Sequence, residues 1–284
     1  MRLARRIQPT MTTAVWALGS RVPHWVRHAI CTVLPWPITA LPLGGLHQWE
    51  TNVSTALGRT PSARERRALV SSWLRNNLMS LSLARWSDHD VLSRVIISDE
   101  DLGKLRSSLA GPGLVMVLPH MGSWDFAGAW SARVGIKVLS VAEHLPRGLY
   151  ERFRDARSGM GMDILPAGQP DLMRRLVESV RSREMVCLLS DRDLSGRGVT
   201  APWPGSGHFV SVPAGPALLS RVSGCDMRVA STRFHGDRVE IIIGDVIPLA
   251  SPASMMEEVV TQFAAAVQQA PTSWLMLQPF FRDV

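Results

Sequence analysis

Short apolar runs alternate with amphipathic segments from residue 111 to the end of the chain. The runs at 114–118 and 185–189 are uninterrupted, which is typical of strands buried on both faces of a sheet. Further strands are predicted at 137–142, 162–165, 227–233 and 238–243. Helices are predicted at 147–158, 170–182, 213–223 and 251–269. This alternation predicts an α/β fold with a central, mainly parallel sheet flanked by helices.

The first 110 residues predict helices instead. Ser62 and Glu65 have the spacing of a capping box and open a helix, and a second helix is predicted at 99–109. Glycines and a proline at 111–113 form a turn into the first central strand. We therefore divide the chain into a helical N-terminal region, 1–110, and one compact α/β unit, 111–284.

One segment of the α/β unit has neither the apolar runs of a strand nor the amphipathic spacing of a helix. Residues 190–212 are rich in Gly, Pro and charge and are predicted as a loop that opens with Asp191, Arg192 and Asp193. A loop of about 20 residues is uncommon inside a compact domain and is often functional. The alternative is a surface turn held by salt bridges.

The charge and the cysteine content indicate which kinds of partner and which cellular compartment fit the chain. The formal net charge is +7 and the pI is about 10.5, which favours anionic partners. Three scattered cysteines predict neither a disulfide framework nor a cysteine-rich metal site, and they fit a reducing compartment.

The first 49 residues combine arginines and tryptophans with no acidic residue. The stretch 28–49 is long enough to span a bilayer, but Pro35, Pro37 and Pro42 interrupt it. We predict short helices that lie on a membrane surface, with Trp at the headgroups and Arg toward anionic lipid. The alternative is a helical segment packed into the core.

The central strand ends in a group of residues suited to catalysis. Pro119 ends the strand, so His120 lies just beyond its C-terminal edge, where open α/β sheets place reactive groups. A turn at Gly122 is needed to bring Asp125 back toward His120. A near-neutral imidazole can take a proton from a hydroxyl, and a carboxylate on its other nitrogen orients it. The alternative is a loop histidine without catalytic function.

His235 and Glu240 have the same spacing elsewhere in the chain. The residues around them alternate as in a hairpin, so we interpret His235 as a surface residue of a strand.

Several stretches together resemble a known family. The segment His120–Asp125 resembles the motif of glycerophospholipid and lipid A acyltransferases, a histidine followed after four residues by an aspartate. The resemblance is to the bacterial late acyltransferases, and within them to the actinobacterial phosphatidylinositol mannoside acyltransferases. The other matching stretches are 140–143, 149–153 with Arg157, 161–162, 188–194, 212–217 and 271–279.

The resemblance implies a glycerolipid acyltransferase-like fold and a reaction. A fatty acyl group would pass from acyl-CoA to a mannose hydroxyl of a phosphatidylinositol mannoside. His120 would be the general base and Asp125 its orienting carboxylate. Because a thioester is already activated, no covalent enzyme intermediate is needed, and no metal or cofactor is expected besides acyl-CoA as substrate.

The same resemblance supplies candidate substrate-binding residues. Arg157 would stabilise the oxyanion; its alternative is a solvated position on a helix. Glu143 would bind acceptor hydroxyls; its alternative is a charge at a helix N-terminus. Asp191, Arg192 and Asp193 would bind substrate from the loop after the fourth strand.

The expected partners are acyl-CoA, the mannosylated lipid and an anionic membrane surface, with the protein peripheral on the cytoplasmic face of the plasma membrane. A hydrolase that uses the same His–Asp pair with water remains open. Nucleic-acid binding is disfavoured because the basic residues do not cluster around a helix-turn-helix.

Overall fold

The computed structural model describes residues 19, 21–143, 149–193 and 195–282. Its helices are α1 (His24–Val33), α2 (Pro35–Thr39), α3 (Gly44–Leu57), α4 (Ala63–Ser82), α5 (Asp88–Leu92), α6 (Asp99–Ala110), α7 (Trp124–Arg133), α8 (Leu149–Gly159), α9 (Leu172–Arg181), α10 (Gly215–Ser223) and α11 (Pro252–Gln269). Its strands are β1 (Val95–Ile96), β2 (Leu114–Leu118), β3 (Val138–Ala142), β4 (Met162–Pro166), β5 (Met185–Leu189), β6 (Val199–Pro202), β7 (Phe209–Val212), β8 (Asp226–His235), β9 (Arg238–Ile243) and β10 (Phe281–Arg282).

Seven strands form the main sheet in the order β1-β9-β8-β2-β5-β3-β4. All neighbouring pairs are parallel except β8 and β9, which form an antiparallel hairpin. The predicted α/β class is confirmed. The two uninterrupted apolar runs, β2 and β5, are neighbours near the middle of this sheet.

Helices cover both faces of the sheet, which explains the apolar runs. Leu114 and Met116 of β2 pack with Phe126 of α7 on one face. Val115 and Val117 pack on the other face with residues of α9, α10 and α11. Because successive side chains of a strand point to opposite faces, a strand covered on both must be apolar throughout.

The prediction of one continuous loop at 190–212 was wrong. Strands β6 and β7 lie within it and form, with β10, a separate three-stranded antiparallel sheet. The Trp203 ring is 2% exposed and stacks on Trp274, with ring centroids 5.8 Å apart, and it meets Phe280 edge-on. These partners come from the far end of the chain, so the local Gly and Pro content concealed them.

The helical N-terminal region is confirmed from α1 onward, and 1–18 lie outside the described residues, as do 147–148 of the predicted helix at 147–158. Ser62 and Glu65 form the predicted capping box. Trp49 is fully buried in the core, whereas Trp25 and Trp36 are 74% and 64% exposed. The prediction that Trp residues lie at headgroup level therefore fails for Trp49.

No single helix of the described residues is both long and apolar enough to cross a bilayer. The segment His24–Thr39 and the helix Gly44–Leu57 together reach the required length and composition, with a bend of 88° between them.

Candidate active site

The C-terminal ends of β2 and β5 place two functional groups opposite each other. The register pairs Leu118 with Leu189, so His120 and Asp191, each two residues further on, lie at the same level. The Ser190 N–H continues the ladder by donating to the Leu118 carbonyl at 2.9 Å. The helix after β2 packs on one face of the sheet, and α10, the next helix after β5, packs on the other. Such a change of face between adjacent strands opens a crevice at the sheet edge.

His120 and Asp191 make two hydrogen bonds. The His120 backbone N–H donates to Asp191 Oδ2 at 2.8 Å, and His120 Nδ1 lies 2.5 Å from Asp191 Oδ1. The Asp191 side chain is 1% exposed, while that of His120 is 29% exposed. With Nδ1 bound to the carboxylate, Nε2 is the ring nitrogen left for a substrate, and it bonds to none of the described residues.

The surroundings of His120 favour its protonated form. Burial alone would lower the pKa of the imidazole, but the negative charges of Asp191 and Glu143 outweigh burial and the opposing charge of Arg192. The pKa of His120 is therefore raised above its ordinary value. A base of raised pKa accepts a proton more readily once it has been deprotonated.

Asp125 is not at the position predicted for it. Its Oδ1 accepts a hydrogen bond from Arg157 Nε at 2.9 Å, and its side chain is 7% exposed. His120 and Asp125 share no hydrogen bond in the described part of the chain. The carboxylate that contacts His120 Nδ1 is Asp191, because the strand register brings it there, while Asp125 at the start of α7 bonds to Arg157 of α8.

Gly122 does form the predicted turn between the strand and α7. Its φ is +55°, and a Cβ there would collide with the Thr232 carbonyl. The Thr232 hydroxyl donates to the Met121 carbonyl at 2.7 Å and accepts from the Ser123 N–H at 2.8 Å. The loop is therefore anchored to β8.

A cavity of about 870 Å³ opens beside His120, and both faces of the sheet line it. On the α7 face it reaches Val138 and Met185, the first residues of β3 and β5, so it follows these strands for about 13 Å at 3.3 Å per residue. Its volume is within the usual range for small-molecule sites. The other apolar lining on this face includes Met116, Leu118, Ala127, Trp130, Met162 and Leu189.

Cys187 lines the same cavity. Burial raises the pKa of its thiol to about 12, so the thiol stays neutral and adds to the apolar lining.

Four of the predicted substrate-binding residues, Glu143, Arg157, Arg192 and Asp193, line the cavity. The carboxylates of Asp191 and Asp193 already have hydrogen-bond partners within the protein. The oxygens of Asp191 are bound to His120, and those of Asp193 accept bonds from the Ser195 N–H and hydroxyl, the Gly198 N–H and the Ser211 hydroxyl. Asp193 therefore stabilises its own loop.

Two contacts of His120 were missed from the sequence. The Trp124 ring meets the imidazole edge-on with centroids 5.3 Å apart, and the Leu275 N–H donates to the His120 carbonyl at 2.7 Å. Trp124 lies within the motif His120–Asp125, but the sequence did not indicate that its ring contacts the imidazole. Nothing in the local sequence indicated the backbone contact of Leu275. Throughout the described ranges, no group of His, Cys, Asp or Glu side chains has an arrangement that could hold a metal ion.

The bacterial lipid A biosynthesis acyltransferase family model matches residues 2–283, so the chain belongs to that family and is an acyltransferase. Among curated relatives it is similar to the phosphatidylinositol mannoside acyltransferase of Mycolicibacterium smegmatis, with 29% identity over 98% of this chain and 88% of the relative. It is also similar to the protein of the same name from Mycobacterium tuberculosis, with 30% identity over 83% of this chain and 77% of the relative. The predicted resemblance is confirmed.

Proposed function

We propose that this protein transfers a fatty acyl group from acyl-CoA to a mannose hydroxyl of a phosphatidylinositol mannoside. The observation that carries the proposal is the His120–Asp191 pair at the mouth of a deep apolar cavity. The names of the mycobacterial relatives support the choice of acceptor.

His120 is the general base of the proposed reaction. Nε2 takes the proton of the mannose hydroxyl as its oxygen attacks the thioester carbonyl, and Asp191 stabilises the imidazolium that forms. The tetrahedral intermediate then collapses, the carbon–sulfur bond breaks, and the imidazolium returns its proton to the departing CoA thiolate. The products are the acylated lipid and free CoA, with no net change in the enzyme.

The other lining residues have complementary tasks in this proposal. The apolar branch on the α7 face would hold the acyl chain, since its wall is aliphatic, aromatic and thioether side chains. Arg157 would stabilise the oxyanion while its Nε stays bonded to Asp125. Glu143, which is exposed, would accept hydrogen bonds from the sugar hydroxyls.

Mass spectrometry of the reaction products tests this proposal. The full-length protein is incubated with palmitoyl-CoA and a panel of phosphatidylinositol lipids with and without mannose. We expect one added acyl group on the mannosylated lipids only, with release of one CoA per product. Free fatty acid formed at the same rate without acceptor would indicate the alternative hydrolase. No turnover of any acyl donor would contradict both.

We further propose that the protein binds peripherally to an anionic membrane on its cytoplasmic face. The exposed apolar side chains on and after α1 and α2 support this, as do the free cysteines, which fit a reducing compartment. The Arg67 guanidinium lies 4.2 Å from the centre of the Trp36 ring, which places positive charge beside the exposed tryptophan. The exposed apolar residues are Trp25, Val33, Leu34, Trp36, Leu41 and Leu43.

Replacing both Trp25 and Trp36 with serine should weaken vesicle binding. Each tryptophan leaves water when the helices reach the lipid headgroups, so we expect a loss of affinity of roughly tenfold or more. Sedimentation with phosphatidylcholine vesicles that do or do not contain phosphatidylglycerol measures the effect. Val222→Ser is the control, because Val222 is 62% exposed but lies on α10. Equal binding of wild type and the double variant would contradict the proposed surface.

A further inference from the structure

The segment that follows α11, residues 271–278, holds the His120 loop through its backbone. The Leu275 N–H donates to the His120 carbonyl at 2.7 Å, and the Gly122 N–H donates to the Ser273 carbonyl at 2.8 Å. Trp274 and Met121 also form an antiparallel bridge. The His120 peptide groups are thus bound on both sides, by Asp191 at the N–H and by Leu275 at the carbonyl.

Two buried side chains of α3 bind the same segment from its other side. The Trp49 indole N–H donates to the Trp274 carbonyl at 3.0 Å. The Asn52 amide donates to the carbonyls of Met276 and Gln278 at 3.0 and 2.8 Å. Trp49 is fully buried and Asn52 is 1% exposed. A buried amide is costly unless it is hydrogen-bonded, and removing it would leave two carbonyls without a partner.

We propose that Asn52 and Trp49 are positioning residues that set the place of His120 by holding the 271–278 segment. This inference rests on the proposed role of His120 as general base. Neither residue lines the cavity, and both act through the segment. Because a displacement of about 1 Å at a catalytic group costs up to about 100-fold in rate, a small shift of the segment changes turnover.

Because charged groups surround His120, its pKa reports its position, and this distinguishes a positioning role of Asn52 from a general loss of stability. Among the described residues, the charged groups that bind His120 or share its cavity lie after β5, after β3, and on α7 and α8. They are Asp191, Arg192, Asp193, Glu143, Asp125 and Arg157. The segment 271–278 contains no charged residue, and Asn52 is neutral. A substitution at Asn52 therefore adds or removes no charge, and it alters the titration of His120 by moving His120 relative to these groups or by changing its burial.

The test compares Asn52→Leu and Trp49→Phe with two controls. Asn77→Leu removes the hydrogen bond that the Asn77 side-chain amide donates to the Trp73 carbonyl on the surface of α4. Ile247→Ala creates a cavity at the N-terminal edge of the sheet, where Ile247 pairs with Met227, and so reports the effect of lost stability alone. Turnover, KM and thermal unfolding are measured for each variant, and the pKa of His120 is measured by NMR of isotope-labelled histidine, assigned with His120→Asn.

We expect Asn52→Leu to lower kcat by about tenfold with KM changed by less than about twofold, and to lower the pKa of His120 toward that of a free imidazole. Trp49→Phe should lower kcat and the pKa of His120 by smaller amounts than Asn52→Leu, since it removes one hydrogen bond where Asn52→Leu removes two. The controls should keep the wild-type kcat and the wild-type His120 pKa.

A His120 pKa that is unchanged in Asn52→Leu, or changed equally in Ile247→Ala, would overturn the proposal. The NMR titration needs no turnover. A wild-type protein without acyl transfer would therefore contradict the proposed function while the positioning of His120 could still be measured.

Discussion

Replacing His120 with asparagine should reduce acyl transfer by about 10³-fold, within the range of 10²–10⁴ for loss of a general base. In the proposed reaction Nε2 is the ring nitrogen that takes the proton, since Nδ1 is bound to Asp191. Asparagine keeps an N–H donor for the buried Asp191 carboxylate, so the fold should remain intact. Alanine at this position should lose the same activity but also some stability, because Asp191 Oδ1 would then lack a partner.

His235 offers a matched control for this substitution. His235 Nε2 lies 2.7 Å from Glu240 Oε2, with the same sequence spacing as His120 and Asp125, but it is exposed at the end of β8. His235→Asn should therefore retain wild-type turnover. The measurement is initial rate by CoA release, with circular dichroism to verify folding. Substantial turnover in His120→Asn, or an equal loss in His235→Asn, would exclude the proposed general base.

Asp191→Asn should have the second largest effect, a loss of about 10²–10⁴-fold in kcat. An amide nitrogen facing Nδ1 donates to it, so the ring proton moves to Nε2, the nitrogen that must accept the substrate proton. Removing the carboxylate also removes the charge that raises the pKa of His120. The low-pH limb of the rate profile should then shift to lower pH, because the base is neutral over a wider range.

The direction in which the wild-type rate changes with pH follows from the role proposed for His120. As the proposed general base, His120 would act in its neutral form, so kcat/KM should rise with pH and level off above its raised pKa, which exceeds 6.5. Because the folded-state pKa is raised, the stability that His120 contributes is present below 6.5 and is lost as pH rises through the folded value.

Asp125→Asn separates the two carboxylates. It breaks the bond to Arg157 and should lower the rate, but it should move the low-pH limb much less than Asp191→Asn does, because Asp125 makes no hydrogen bond to His120 among the described residues. Rate profiles of Asp125→Asn and Asp191→Asn, recorded from pH 5 to 9, show which of the two carboxylates orients His120. A shift of the limb in Asp125→Asn with none in Asp191→Asn would show that Asp125, and not Asp191, orients His120.

Strands and helices of the main sheet were predictable because their signals are local. The apolar run of β2 needs only its own residues to be read as a buried strand, and Pro119 and Gly122 mark the turn that follows. The long segment 190–212 was misread because β6 and β7 are held by aromatic partners such as Trp274 and Phe280. Those contacts are distant in sequence and leave no local periodicity.

The partner of His120 shows the same limit within the site. The spacing of the motif favoured Asp125, whereas the hydrogen bond to Nδ1 comes from Asp191, 71 residues away. Only the order of strands in the sheet makes β2 and β5 neighbours, and only their register brings the two residues after each strand to the same level.

For this protein, the sequence by itself determined the class of fold, the position of His120 beyond a buried strand and the resemblance to the acyltransferase family, because each depends on contiguous residues. The tertiary structure alone decided which carboxylate meets His120, which charge neutralises Asp125, and how α3 and residues 271–278 hold the loop. These contacts join segments that are far apart in the chain. Strand order and register bring Asp191 to His120, and the packing of helices brings the other partners together.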